Sequence, residues 1–211
     1  EGREQLLFPL RVAQVLGVHR LEELEHFLDE LLGREELLEA LEPPARGVVG
    51  AQHGPDGREA YLAGIKSSYL TVADMKTHTA ARTVGPFSHF IRPFTINGRQ
   101  TLVYVNVNDL LGFEVGDLKT GRMLHRVEVA GFAKGPTKRH GCPSHGIGMS
   151  PDEKEIWLTD AHNSRLHIYD NTVMPPKLKQ SIELRDQPGW VTFSIDGALV
   201  YPSTGEVLNA R

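Results

Sequence analysis

Ser150-Pro151-Asp152-Glu153-Lys154-Glu155-Ile156-Trp157-Leu158-Thr159-Asp160-Ala161-His162-Asn163-Ser164-Arg165-Leu166-His167-Ile168-Tyr169-Asp170 is the stretch on which the fold turns. Two short β-prone runs, Ile156-Trp157-Leu158-Thr159 and Leu166-His167-Ile168-Tyr169, lie between a Ser-Pro-Asp turn and a closing Asp. An apolar segment at 145–149 precedes the turn, and another β segment at 178–184 follows the Asp. The unit therefore reads as four short strands joined by turns.

The same grammar recurs on either side. Turn pairs Asp56-Gly57, Asn97-Gly98, Asp152-Glu153 and Asp196-Gly197 begin at 56, 97, 152 and 196, in steps of 41, 55 and 44. Asp-Gly and Asn-Gly mark tight hairpins, and a type I′ turn wants positive φ at both central positions. The first three pairs are followed, 18, 20 and 18 residues on, by Asp74, Asp117 and Asp170, each closing a β-prone run. These Asp side chains are placed to cap backbone N–H groups of the next turn. Further β segments follow at 81–84, 123–129 and 178–184. Four strands in about 40–45 residues is the blade of a β-propeller. A sandwich of unrelated hairpins is the competing arrangement. The spacing predicts blades at about 47–87, 88–132, 140–184 and 185–211, the last incomplete, with no visible partner after the strand at 206–210.

Residues 1–46 have another character. They hold five Arg, no Lys and eleven Asp or Glu, net −6, whereas the remainder is net +2. Leu24, Phe27, Leu28, Leu31 and Leu32 form one apolar helical stripe ended by Gly33; Leu37, Leu38 and Leu41 form a second, stopped by Pro43-Pro44. The expected fold is thus mainly β, a partial β-propeller of four-stranded blades preceded by a short helical N-terminal segment and a Pro-rich linker. The stretch from Arg11 to Val18 has a helix-turn-helix flavour, but its acidic surroundings favour a helical hairpin. A net charge of −4 over 211 residues argues against a nucleic-acid partner. No apolar run reaches the 18 residues or so that a membrane span needs, and a single Cys excludes an intramolecular disulfide framework.

The repeat, best formed from Cys142-Pro143-Ser144-His145-Gly146-Ile147-Gly148-Met149-Ser150-Pro151-Asp152 through Asp170, resembles the YVTN-type propellers, the family that includes YncE-like and lactonase-like proteins. The resemblance covers residues 48–211 and implies architecture more than activity. It implies a bacterial, periplasmic or secreted setting. Rings of this family normally close with seven blades. Four repeats imply a fragment, or a homo-oligomer in which partner copies complete the ring. The N-terminal helices have no counterpart in the family pattern and are placed to cover an open blade face.

In a propeller the innermost strands line the channel, and matching the repeats assigns them to 48–53, 89–94, 145–149 and 190–193. The candidate ligand-binding residues at the channel mouth are then His89, Arg92, Arg139, His140, His145 and Trp190. His140, Cys142 and His145 fall within six residues and have the ligand types for a transition or other divalent metal, though no established metal spacing. Cys142 is equally a small buried residue, and as a nucleophile it would need His140 or His145 as base. Asp160, His162 and Asn163 read as a turn held by side-chain caps. His78, His125 and His167 read as structural. No phosphate-binding Gly loop, Gly-x-Ser-x-Gly elbow, His-Glu-x-x-His pair or haem-attachment motif is present. The expectation is a non-catalytic scaffold that presents channel-mouth loops to a protein or small-molecule ligand. A lactonase-like hydrolase or a metal-dependent redox accessory protein is the alternative. No cofactor is assigned with certainty.

Overall fold

A computed structural model describes residues 48–136 and 140–210. The expected helices of residues 1–46 and the candidate Arg139 lie outside these described residues. Within them the protein is mainly β, with four antiparallel sheets. The first contains β1 (Val48–His53), β2 (Glu59–Gly64), β3 (Leu70–Asp74) and β4 (Thr79–Val84). The second contains β5 (Ile91–Ile96), β6 (Leu102–Val107), β7 (Gly112–Asp117) and β8 (Met123–Glu128). The third contains β9 (Ile147–Met149), β10 (Glu155–Asp160), β11 (Arg165–Asp170) and β12 (Lys177–Glu183). The fourth contains β13 (Val191–Phe193), β14 (Leu199–Pro202) and β15 (Leu208–Asn209). Each sheet is a simple meander in chain order. The first strands are neighbours in space, β1 against β5, β5 against β9 and β9 against β13. Among the described residues no helix is long and apolar enough to cross a membrane.

The near-continuous apolar runs of β6 and β10 follow from burial on both faces. Val103, Val105 and Val107 pack with Tyr61, Leu70 and Val72 of the first sheet, while Tyr104 turns the opposite way toward Ile156 and Leu158. Trp157, Leu166 and Ile168 pack in turn against Val191, Phe193 and Val200 of the fourth sheet. Every interior sheet thus contributes to two cores by period-two alternation. A bulge in the pairing of the third and fourth strands recurs at Val72/Ala73, Val115/Gly116 and Ile168/Tyr169, which adds twist at the same place in three sheets. In the first and third sheets a Glu opens the second strand and ties it to the outermost one. Glu59 accepts from the Tyr61 hydroxyl and from Arg82, and Glu155 accepts from Trp157 Nε1 and Lys179.

The turns between first and second strands share one geometry, and it is not the expected type I′. Gly54, Asn97, Ser150 and Ser194 each accept from the backbone N–H three residues on, at Gly57, Gln100, Glu153 and Gly197. Each also donates its own N–H to the carbonyl five residues on. Only that fourth residue has positive φ, between 53° and 68°. Asn97-Gly98 is therefore displaced by two positions from Asp56-Gly57. Asn97 replaces Ser: its Oδ1 accepts from Leu102 N as Ser150 and Ser194 Oγ accept from Glu155 N and Leu199 N. Asp152 and Asp196 brace their turns by accepting from that Ser hydroxyl and from a backbone N–H. At the second set of turns, Asp74, Asp117 and Asp170 do cap following backbone N–H groups. Segment 206–210 supplies β15, which pairs back onto β14 as the last strand of the fourth sheet.

Candidate functional site at the loop end of the sheets

In each of the first three sheets the turns after the first and third strands lie at one end, and the connections that lead to the next sheet lie at the other. At this loop end the entries to β5, β9 and β13 come together. Arg92, at the start of β5, donates from Nε to Asn108 Oδ1 at 2.5 Å and from a terminal nitrogen to Gly141 O at 3.3 Å. This fixes the plane of the guanidinium and ties the second sheet to the loop before β9. Asn106, fully buried on β6, donates from Nδ2 to His145 O at 2.7 Å. Its Oδ1 is buried with no hydrogen-bond partner.

His145 sits where the second, third and fourth sheets meet. Its Nδ1 lies 3.1 Å from Gly189 O. A carbonyl only accepts, so Nδ1 carries the proton and Nε2 presents its lone pair. The ring packs edge-on against Trp190, with centroids 4.7 Å apart, and tilted against His140 at 5.5 Å. Burial, reinforced by the neighbouring His140 and Arg92, lowers its pKa to about 4 against the help of the Gly189 carbonyl. His145 is accordingly neutral at pH 7. The close packing relies on two glycines. A Cβ at Gly189 would fall 2.4 Å from the His140 ring, and one at Gly146 would fall 2.8 Å from Gly189 O. Trp190 keeps 40% of its surface exposed, so an aromatic face remains open beside the imidazoles.

Four of the residues expected at the channel mouth are therefore assembled: Arg92, His140, His145 and Trp190. His89 is not joined to them; it is exposed and packs edge-on against Phe90. Cys142 is 1% exposed, donates from Sγ to Ser144 O, and has its pKa pushed up to about 12 by burial. It is a packed thiol rather than a nucleophile or a thiolate ligand. Among the described residues no group of three or more His, Cys, Asp or Glu is placed to hold a metal ion. A metal centre at His140, Cys142 and His145 thus has no support from the geometry. Asn106, Asn108 and Gly189 were missed by sequence reasoning. The two Asn sit at the end of an apolar strand, and a polar residue on a doubly buried strand was the available signal. Nothing local marks Gly189.

The turn end has a cleft of about 380 Å³ between the first three sheets, lined in part by Gln52, Asn97 and Glu153. Those polar groups are already committed to backbone. Gln52 Oε1 accepts from Ile96 N, Asn97 Oδ1 from Thr101 N and Leu102 N, and Glu153 Oε1 from Gly98 N. The loop end, with a neutral imidazole, an open indole and an orphan amide oxygen, is the better site. Compared with known proteins, the chain matches no family model. No curated protein sequence matches it either.

Proposed function

We propose that the four sheets are consecutive blades of a β-propeller of the YVTN type, and that the loop end is a non-catalytic binding site for a small anionic ligand with a planar apolar body. The supporting observation for the site is that Arg92, His145 and Trp190, from three successive sheets, meet at one place. Rigid sheets hold the side chains, and the intervening connections are free to vary. Arg92 supplies the charge for a carboxylate or phosphate. Trp190 offers an aromatic face for stacking. His145 Nε2 and Asn106 Oδ1 are acceptors for ligand donors. The propeller reading rests on the shared turn, the neighbouring first strands and the alternation of cores.

The test is thermal unfolding of the full chain with benzoate and, separately, inorganic phosphate. Specific binding raises Tm in proportion to the logarithm of ligand concentration. Benzoate is expected to shift Tm more than phosphate, and Arg92→Ala to reduce the shift sharply, each shift being taken against that chain's own ligand-free Tm because Arg92 also ties the second sheet to the loop before β9. No shift with either probe, or a shift undiminished by Arg92→Ala, would overturn the proposal.

A further inference from the structure

We propose that Ser181 is an activated nucleophile, the outer end of a Ser181–His167–Asp160 relay on the third sheet that reacts with activated acyl and phosphonyl centres. Asp160 ends β10, His167 lies on β11, and the antiparallel register places Ser181 of β12 directly opposite His167. Asp160 and His167 are both fully buried, whereas Ser181 is half-buried on the outermost strand. The Asp160 carboxylate receives three donors: Asn163 N at 3.0 Å, Asn163 Nδ2 at 2.7 Å and His167 Nε2 at 3.1 Å. Asn163 is itself anchored to Ala133 O at 2.9 Å. A carboxylate only accepts, so His167 carries its proton on Nε2. In the neutral ring Nδ1 is then an acceptor, and the Ser181 hydroxyl donates to it at 2.8 Å. Phe132 packs on the imidazole with centroids 4.9 Å apart and holds it in this orientation.

That polarity matches what a nucleophile, its base and the group that orients the base require. The nitrogens are used in the order Ser to Nδ1 and Asp to Nε2. The relay ends at a half-buried residue on an outer strand, where unpaired backbone N–H groups face away from the sheet. With a phosphonyl fluoride, Ser181 Oγ forms a bond to phosphorus and the P–F bond breaks. Fluoride leaves with the bonding pair, and the hydroxyl proton passes to His167 Nδ1 and then to solvent. An activated ester reacts by the same route, with the C–O bond to its phenolate broken.

The experiment is labelling of the full chain with an alkyl fluorophosphonate, followed by intact mass and peptide mapping. One adduct is expected, at Ser181, absent in Ser181→Ala. Asp160→Asn, which removes the negative charge behind the imidazole and replaces one accepting oxygen by an NH2 donor, is expected to slow labelling by about a hundredfold or more, the scale of lost base catalysis. Ser67, another half-buried serine whose hydroxyl is spent on Tyr69 O, serves as internal control. Should Asp160→Asn not fold, the urea-unfolded wild type replaces it, and reactivity must vanish with the fold. No adduct at Ser181, labelling no faster than at Ser67, or wild-type labelling in folded Asp160→Asn or in the unfolded chain would overturn the proposal and leave the relay a structural brace.

Discussion

At the turn end, four sheets repeat one turn, with Gly54, Asn97, Ser150 and Ser194 in the same place and a single positive-φ residue three positions on. At the loop end, the connection from β4 to β5 spans residues 85–90, that from β8 to β9 spans 129–146, and that from β12 to β13 spans 184–190. No two of these agree in length or sequence. The contrast separates two demands on the chain. The turn end sets register, and any residue set that satisfies the same hydrogen bonds will do it, whether Ser-Pro-Asp-Glu or Ser-Ile-Asp-Gly. The loop end is released from that repetition because sheet register is already settled, so its side chains are available for a site.

The comparison is broken most severely by removing what both ends share. Trp157, 2% exposed between the third and fourth sheets and edge-on to Phe193 at 5.6 Å, is expected to cost about 3–5 kcal/mol as Trp157→Ala. Urea unfolding measures this, and a loss below about 1 kcal/mol would mean that the third and fourth sheets are not packed as described.

Acid is expected to reach the two ends in sequence. His145 has its pKa lowered from 6.5 to about 4, so stability from its neutral form is present in full above pH 6.5 and lost as pH falls through 4. Asp152, held at about 2 by the Ser150 hydroxyl and the Lys154 N–H, keeps its contribution above 3.8 and loses it only near 2. Asp74 and Asp117 are lowered by the backbone N–H groups they cap and follow the same direction. Amide hydrogen exchange across a pH series should show the loop end loosening first. Turns that open before the loops would contradict this.

The equivalence of the turns is sharpened by exchange between sheets. Placing Ser-Pro-Asp-Glu-Lys over Ser194-Ile195-Asp196-Gly197-Ala198 requires Ile195→Pro, Gly197→Glu and Ala198→Lys. Pro in place of the fully exposed Ile195 gains about 0.4–1 kcal/mol through the unfolded chain. Glu at a φ of 67° costs about 1 kcal/mol. The two nearly cancel, and a net change within about 1 kcal/mol in urea unfolding is expected. Gly189→Ala, whose Cβ would fall 2.4 Å from the His140 ring, displaces that ring. Its expected cost is about 1–3 kcal/mol, and it should weaken benzoate binding at least about tenfold.

Much of this contrast was legible in the chain. The β-prone runs Leu102-Val103-Tyr104-Val105 and Ile156-Trp157-Leu158-Thr159, together with the recurring Asp, located the strands because doubly buried strands need unbroken apolar runs. The two-residue misplacement of Asn97-Gly98 arose because Asn there acts as Ser does elsewhere, a substitution of function that spacing alone conceals. At the site, Arg92, His140, His145 and Trp190 could be grouped once inner strands were assigned. Their partners could not, since Asn106 to His145 and His145 to Gly189 are contacts between separate sheets, about 40 residues apart. The pairing of His167 with Ser181 was hidden by the bulge at Ile168/Tyr169, which shifts the count between β11 and β12 by one.

The most direct measurement is tryptophan emission of the full chain during a benzoate titration, repeated in Arg92→Ala and Trp190→Phe. Trp157 is buried in the core and Trp190 is open at the loop end, so a bound ligand reports through Trp190 alone. A saturable change in the wild type, weakened at least about tenfold by Arg92→Ala and silenced by Trp190→Phe, is the expected result. A linear, unsaturated response identical in all three chains would contradict a binding site built where the three sheets meet.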